Sequence, residues 1–339
     1  MSGSVAGPGS GRAGRGGLAR YRRLRELGRG SMGAVYLATD LQTGESVALK
    51  LLALQREFSP EDLIDVRQRF MREAHAAGHL RHPDILRVLD AGEAGEDAWI
   101  VMEFVNGQDL SHYTRADALL PVAETVALAI RLARALAYAH SQGVVHRDIK
   151  PANVMLDRGP EGQVRSLKLM DFGIARLSDG SRTRTGLVLG TPSFMSPEQL
   201  AGLKVDGRSD LYSLGVLLYQ LLTGQLPHQS ESMAELMHKI ANQAPPDVRH
   251  LRPELPEALA LVLALCLEKR PELRYGGGEQ LAGDLEAVLA QGLPERPMRA
   301  PKPGADARNV DPYAQTVRLS PGEAGQNPPA PQPSPTEKK

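Results

Sequence analysis

The segment His146-Arg147-Asp148-Ile149-Lys150-Pro151-Ala152-Asn153 constrains this chain more than any other. It sets a carboxylate, cations and a carboxamide side by side. Pro151 prevents it from continuing as a helix. An Ala/Leu-rich amphipathic run, Ala123 to His140, precedes it and ends near Gly143, and a short apolar strand, Val154 to Leu156, follows. Polar loops held by rigid elements are where catalytic groups concentrate. The chain is therefore expected to supply matching groups from other elements.

Lys+Arg and Asp+Glu are equal at 40 each, so no charge excess points to a nucleic-acid partner. Cys266 is the single cysteine, which excludes an intramolecular disulfide and a cysteine-based metal cluster. It lies in the apolar run Leu261 to Leu267 and reads as a packed thiol. No apolar stretch is long enough to span a membrane, and the start lacks the apolar core of a secretory signal. A cytoplasmic setting is the expectation.

The expected fold class is α+β, in two lobes. Residues 1–20 are Gly/Ser/Arg-rich and read as disordered. Residues 21–105 read as short strands plus one helix, Pro60 to Gly78, with the stripe Leu63, Val66, Phe70, Ala74 and Ala77 at helical spacing. Glu73 borders that stripe, and a carboxylate turned inward needs a cation. Residues 106–291 read as mainly helical. Leu211 to Leu222 is apolar nearly all round, a buried helix with Gly224 suited to its end. Residues 292–339 form a Pro-rich tail read as disordered.

Several motifs carry chemistry. Gly28-Arg29-Gly30-Ser31-Met32-Gly33 is followed by Ala34-Val35-Tyr36-Leu37, a strand pattern. A glycine turn between strands lets backbone N–H groups approach phosphates, whereas a dinucleotide-binding loop would open a helix. Val47-Ala48-Leu49-Lys50 ends a strand on a lysine. Asp171-Phe172-Gly173 follows the strand Leu167 to Met170, and Asp171 with Asn153 supplies hard oxygens that suit magnesium.

Together these motifs resemble the protein kinase superfamily, and most closely its bacterial Hanks-type serine/threonine branch. The resemblance runs from about Tyr21 to about Ala290. It implies ATP with Mg2+ or Mn2+ as cofactors and protein substrates bearing Ser or Thr. Leu27 and the glycine turn would cover the nucleotide. Lys50 would hold the α- and β-phosphates and pair with Glu73. Met102 would be the gatekeeper, the backbone of Glu103 and Val105 would meet adenine, and Asp109 would reach the ribose. Val35, Ala48 and Met155 would sandwich the purine. Asp148 would orient the attacking hydroxyl, Lys150 would offset charge on the phosphoryl group, and Asn153 and Asp171 would bind metal. His146 would be a packing residue beside Phe172. Thr183 and Thr185 are the candidate phosphorylation sites, with Arg147 as their clamp, and Thr191 is expected to help dock substrate. Ser196-Pro197-Glu198 stands where the family commonly has Ala-Pro-Glu, Glu198 should pair with Arg274, and Asp210 should brace the catalytic loop. Arg270 departs from the usual aspartate there and is expected to alter local capping.

Two rivals remain at this point. A pseudokinase scaffold predicts loss of one of Lys50, Glu73, Asp148, Asn153 or Asp171, and all are present. Small-molecule phosphotransfer on a related fold needs no peptide-docking segment, which Gly190 to Glu198 resembles. In the tail, Thr316 with Leu319 three residues on suits a forkhead-associated domain partner once phosphorylated. A homodimer would serve autophosphorylation in trans.

Overall fold

The computed structural model describes residues 17–30, 33–58, 61–95, 97–172 and 192–293. Ser31, Met32, Gly173, Thr183, Thr185, Thr191 and Thr316 lie outside the described residues.

The first lobe is a five-stranded antiparallel sheet of β1 (Tyr21–Gly30), β2 (Gly33–Asp40), β3 (Ser46–Leu52), β4 (Val88–Ala94) and β5 (Asp97–Glu103), in the order β1-β2-β3-β5-β4. A short helix, α1 (Leu54–Glu57), leads to α2 (Leu63–His79). The two-residue period of a strand sorts β3 and β5 into two faces. Ala48, Leu52, Ala98, Ile100 and Met102 pack on Val66, Phe70 and Ala74 of α2. Val47, Leu49, Trp99 and Val101 pack on the opposite face with Tyr21 and Ala38. Lys50 falls between Ala48 and Leu52, so the pleat turns it toward the helix side, inside the molecule rather than to solvent.

The second lobe begins at β6 (Gln108–Asp109), which pairs with the hairpin β7 (Val154–Arg158) and β8 (Val164–Leu169). Its helices are α3 (Val122–Ser141), α4 (Pro197–Leu200), α5 (Gly207–Thr223), α6 (Met233–Asn242), α7 (Glu257–Cys266) and α8 (Gly278–Ala290). Every residue of α5 from Ser209 to Thr223 is buried. Asp206 caps its N-terminus by accepting from the Arg208 N–H, and Gly224 ends it in the left-handed region at φ 74°. The other helices close a shared core around it. The structure thus shows the small sheet-plus-helix lobe and larger helical lobe that the residue pattern implies. No described helix is long and apolar enough to cross a membrane.

Some boundaries differ from expectation. Helix α2 starts at Leu63 rather than Pro60, and the strand expected over Val154–Leu156 continues to Arg158. Arg270 precedes the 3-10 turn Pro271–Leu273 as its N-cap, yet its side chain does not cap the turn and its guanidinium pairs with Glu272 instead. Cys266 is 1 % exposed, and burial pushes its thiol up to about 12. A thiol reagent such as Ellman's is therefore expected to leave Cys266 unmodified in the native protein and to label it fully on unfolding.

Candidate active site

The polar loop after α3 is held from beneath by Asp210, which is fully buried. Its Oδ1 accepts from the Arg147 N–H at 2.7 Å. Its Oδ2 accepts from the His146 N–H at 2.8 Å and from His140 Nε2 at 2.7 Å. Arg147 has φ 69°, a left-handed conformation that costs energy for a side-chain-bearing residue and persists where surroundings impose it. The Arg147 carbonyl accepts from Gln199 Nε2 at 2.9 Å. Gln199 also closes a capping box with Ser196 at the start of α4.

His146 is 0 % exposed and its ring is fully engaged. Nε2 lies 2.6 Å from the Met170 carbonyl, so that nitrogen donates, and Nδ1 accepts from the Asp148 N–H at 3.2 Å. The ring meets Phe172 edge-on at 4.5 Å. Such a histidine fixes the loop and has no nitrogen left for proton transfer.

Asp148 is gripped from both sides. Lys150 Nζ lies 2.9 Å from Asp148 Oδ2, and Asn153 Nδ2 donates to the same oxygen at 2.8 Å and to the Asp148 carbonyl at 2.7 Å. With its amide nitrogen spent on Asp148, Asn153 keeps Oδ1 as an acceptor for a metal. The Asn153 carbonyl accepts from the Met170 N–H at 2.8 Å, which ties it to the strand leading to Asp171.

Asp171 also sits in the left-handed region, at φ 59°. Its Oδ2 meets Lys50 Nζ at 2.8 Å. Burial alone would raise its carboxyl. The Lys50 charge and hydrogen bond, helped by Lys150, bring it below the usual carboxylate range. The structure therefore differs from the expected Lys50–Glu73 pair: the lysine amine goes to Asp171. Residue pattern alone does not choose between the two carboxylates.

The other candidates fall around this centre. Gly28 and Gly30 lie at the end of β1 opposite Val35 and Gly33 of β2, and Arg29 pairs with Glu26. A Cβ at Gly33 would stand 1.8 Å from the Leu51 carbonyl oxygen, so the sheet itself requires that glycine. A Cβ at Gly28 or Gly30 would meet nothing within 4 Å. Leu27 is exposed. Val35, Ala48, Met102 and Val105 all belong to the helix-side core of the small lobe. The Glu103 N–H donates to the Arg87 carbonyl, and its carboxylate meets Lys168 at 2.8 Å. Asp109 pairs across the β6–β7 ladder with Met155, so these two come together, but its Oδ1 accepts from the Ser111 N–H at 2.8 Å. Glu198 and Arg274 form the expected ion pair at 2.7 Å.

Residue patterns missed two supports of this site. Gln199 was readable, since Ser-x-x-Gln before a helix is a capping-box signature. His140 was not, because its partner Asp210 is 70 positions away.

Residues 21–284 match the family described as "Protein kinase domain". The chain belongs to the protein kinase family. Among curated relatives, the serine/threonine-protein kinase PknA of Mycobacterium tuberculosis is 36% identical over 312 residues, covering 90% of this chain and 70% of the relative. The serine/threonine-protein kinase PknJ of the same species is 43% identical over 278 residues, covering 81% and 46% respectively. The serine/threonine-protein kinase Pkn1 of Myxococcus xanthus is 38% identical over 273 residues, covering 80% and 38%. These relatives place the kinase in the bacterial Hanks-type branch. A crystal structure of Rad53 1–466 in complex with AMP-PNP superposes with a TM-score of 0.64 at 23% identity, covering 79% of this chain and 65% of that one, which supports the fold.

Proposed function

We propose that this kinase transfers the γ-phosphoryl group of ATP to serine and threonine hydroxyls of protein substrates. The observation that carries the reading is Asp148 held between Lys150 and Asn153, with the Lys50–Asp171 pair joining the two lobes. Asp148 accepts the hydrogen bond of the attacking hydroxyl and aims its oxygen. Lys150, already beside Asp148, offsets negative charge on the group in flight. Lys50 leaves Asp171 for the nucleotide phosphates, and Glu73 on α2 then becomes its carboxylate partner. Gly28 and Gly30 leave room that the fold does not itself use, which suits close approach of phosphate to backbone. Arg29, Leu27, Val35, Ala48, Glu103, Val105, Asp109 and Met155 complete the nucleotide site.

Asp171 and the Asn153 Oδ1 fit a magnesium or manganese ion by the hardness of their oxygens. Among the described residues no group of three or more His, Cys, Asp or Glu side chains could form a cage, and magnesium takes its remaining ligands from phosphate and water. Such an ion, when bound, would neutralise charge on the phosphates. Asp171 stays ionised to receive it, since its carboxyl lies below the usual range.

Finer parts of the reading rest on residues outside the described ones. Thr183 and Thr185 would be autophosphorylated, in trans between two copies in the cytoplasm, and Arg147 would clamp the phosphate. Thr191 would help dock substrate, and phosphorylated Thr316 would engage a forkhead-associated domain. Substituting Lys50 by methionine tests the core of the proposal. Phosphotransfer to a generic protein substrate is expected to fall by on the order of 10²-fold or more with the fold intact, by analogy with loss of a single transition-state contact. Unchanged phosphotransfer in that variant would remove the assignment of Lys50.

A further inference from the structure

The last turn of α2 carries His75 and His79, four residues apart. That spacing sets both side chains on one face of the helix, one above the other. Their rings meet edge-on with centroids 4.4 Å apart. His79 Nδ1 lies 2.7 Å from the His75 carbonyl oxygen. A carbonyl only accepts, so this nitrogen donates, and the neutral ring keeps its lone pair on Nε2. That is the second-shell arrangement by which proteins orient an imidazole toward a metal. Two histidines at this spacing on one helical face form a bidentate site for a borderline transition metal.

The helix end offers one feature that favours a metal cation and one that opposes it. The pair lies in the turn where the carbonyl ends of α2 concentrate partial negative charge. The nearby Arg81 guanidinium already donates to the Gly78 and Leu80 carbonyls, at 2.6 and 2.8 Å, so its charge opposes a second cation and imidazole coordination must outweigh it. His75 and His79 are both exposed, so water has access to complete the coordination shell. Among the described residues neither imidazole takes part in an ion pair with a carboxylate that a metal would have to displace.

We propose that His75 and His79 form a transition-metal site, for Ni2+, Zn2+ or Cu2+, that clamps the last turn of α2. The site is separate from the nucleotide centre and does not depend on the kinase reading. The clamped turn is in the same helix as Glu73, two residues before His75.

The test uses the untagged full chain, without nucleotide, titrated with Ni2+ alone and followed by isothermal calorimetry and thermal unfolding. The native chain is expected to bind Ni2+ and to unfold at higher temperature in its presence. His75→Ala and His79→Ala should each abolish that shift, while His238→Ala, on α6, should retain it. Acidification should release the metal, because the ligand imidazoles must be neutral. The proposal is overturned if the native chain shows no Ni2+-dependent shift, or if both alanine variants keep it. The histidines are peripheral, so loss of metal response is separable from loss of fold by comparing unfolding without metal.

Discussion

Replacing Arg274 by alanine lowers the stability of this kinase by about 3–5 kcal/mol, the range for breaking one half of a buried ion pair. The guanidinium is fully buried and grips Glu198 with both terminal nitrogens at 2.7 Å. It also donates to the carbonyls of Glu268, Lys269 and Arg208, and stacks over Tyr212 at 4.9 Å. Without it, the Glu198 carboxylate is left buried with the Ser209 hydroxyl as its remaining side-chain partner. Chemical denaturation should report the loss directly, against a typical total of about 5–15 kcal/mol.

The same pair sets a pH dependence. Burial alone would raise the Glu198 carboxyl, but hydrogen bonds from Arg274 and Ser209 bring it below its ordinary value. A depressed carboxyl contributes stability that is present above the unfolded value and is lost as pH falls through the folded one. In Arg274→Ala the burial cost is no longer offset by the cation, so the carboxyl rises. Mild acid should then partly rescue the variant while it weakens the native protein. A variant as stable as the native chain, with the same acid response, would show that the pair does not anchor the segment before α5.

Asp148→Asn has the largest expected effect on catalysis. The turnover rate should fall by about 10²- to 10⁴-fold, the usual contribution of a positioned acid–base group. Asparagine keeps the shape and an oxygen for the Asn153 amide, but loses the ion pair to Lys150 and the capacity to take a proton. Thermal unfolding and binding of a non-hydrolysable ATP analogue should stay close to native. A rate loss accompanied by loss of nucleotide binding would point to damage of the loop instead.

The fold was legible where one physical cause dominated. Helix α5 announced itself by a continuous apolar run ended by Gly224, and burial on all sides is what such a run requires. The stripe on α2 was legible from its helical spacing, whereas the two faces of β3 were not, because Val47 to Leu52 is apolar on both sides and only its pairing in the sheet turns Lys50 inward. The polar loop was legible because few other settings bring Asp148, Lys150 and Asn153 so close. Illegible from residues alone was the choice of partner for Lys50, because Asp171 and Glu73 are both carboxylates and only three-dimensional placement decides. His140 was hidden for a related reason. It lies near the end of an amphipathic helix, and only the buried Asp210 gives it a purpose.

The central claim is that Asp148 directs phosphoryl transfer to protein hydroxyls. The most direct measurement incubates the purified chain with γ-labelled ATP, Mg2+ and a generic protein substrate, then identifies the labelled amino acid after hydrolysis. The account predicts label on serine and threonine from the native kinase and almost none from Asp148→Asn. Equal labelling by the two proteins, or no transfer by the native one, would contradict it.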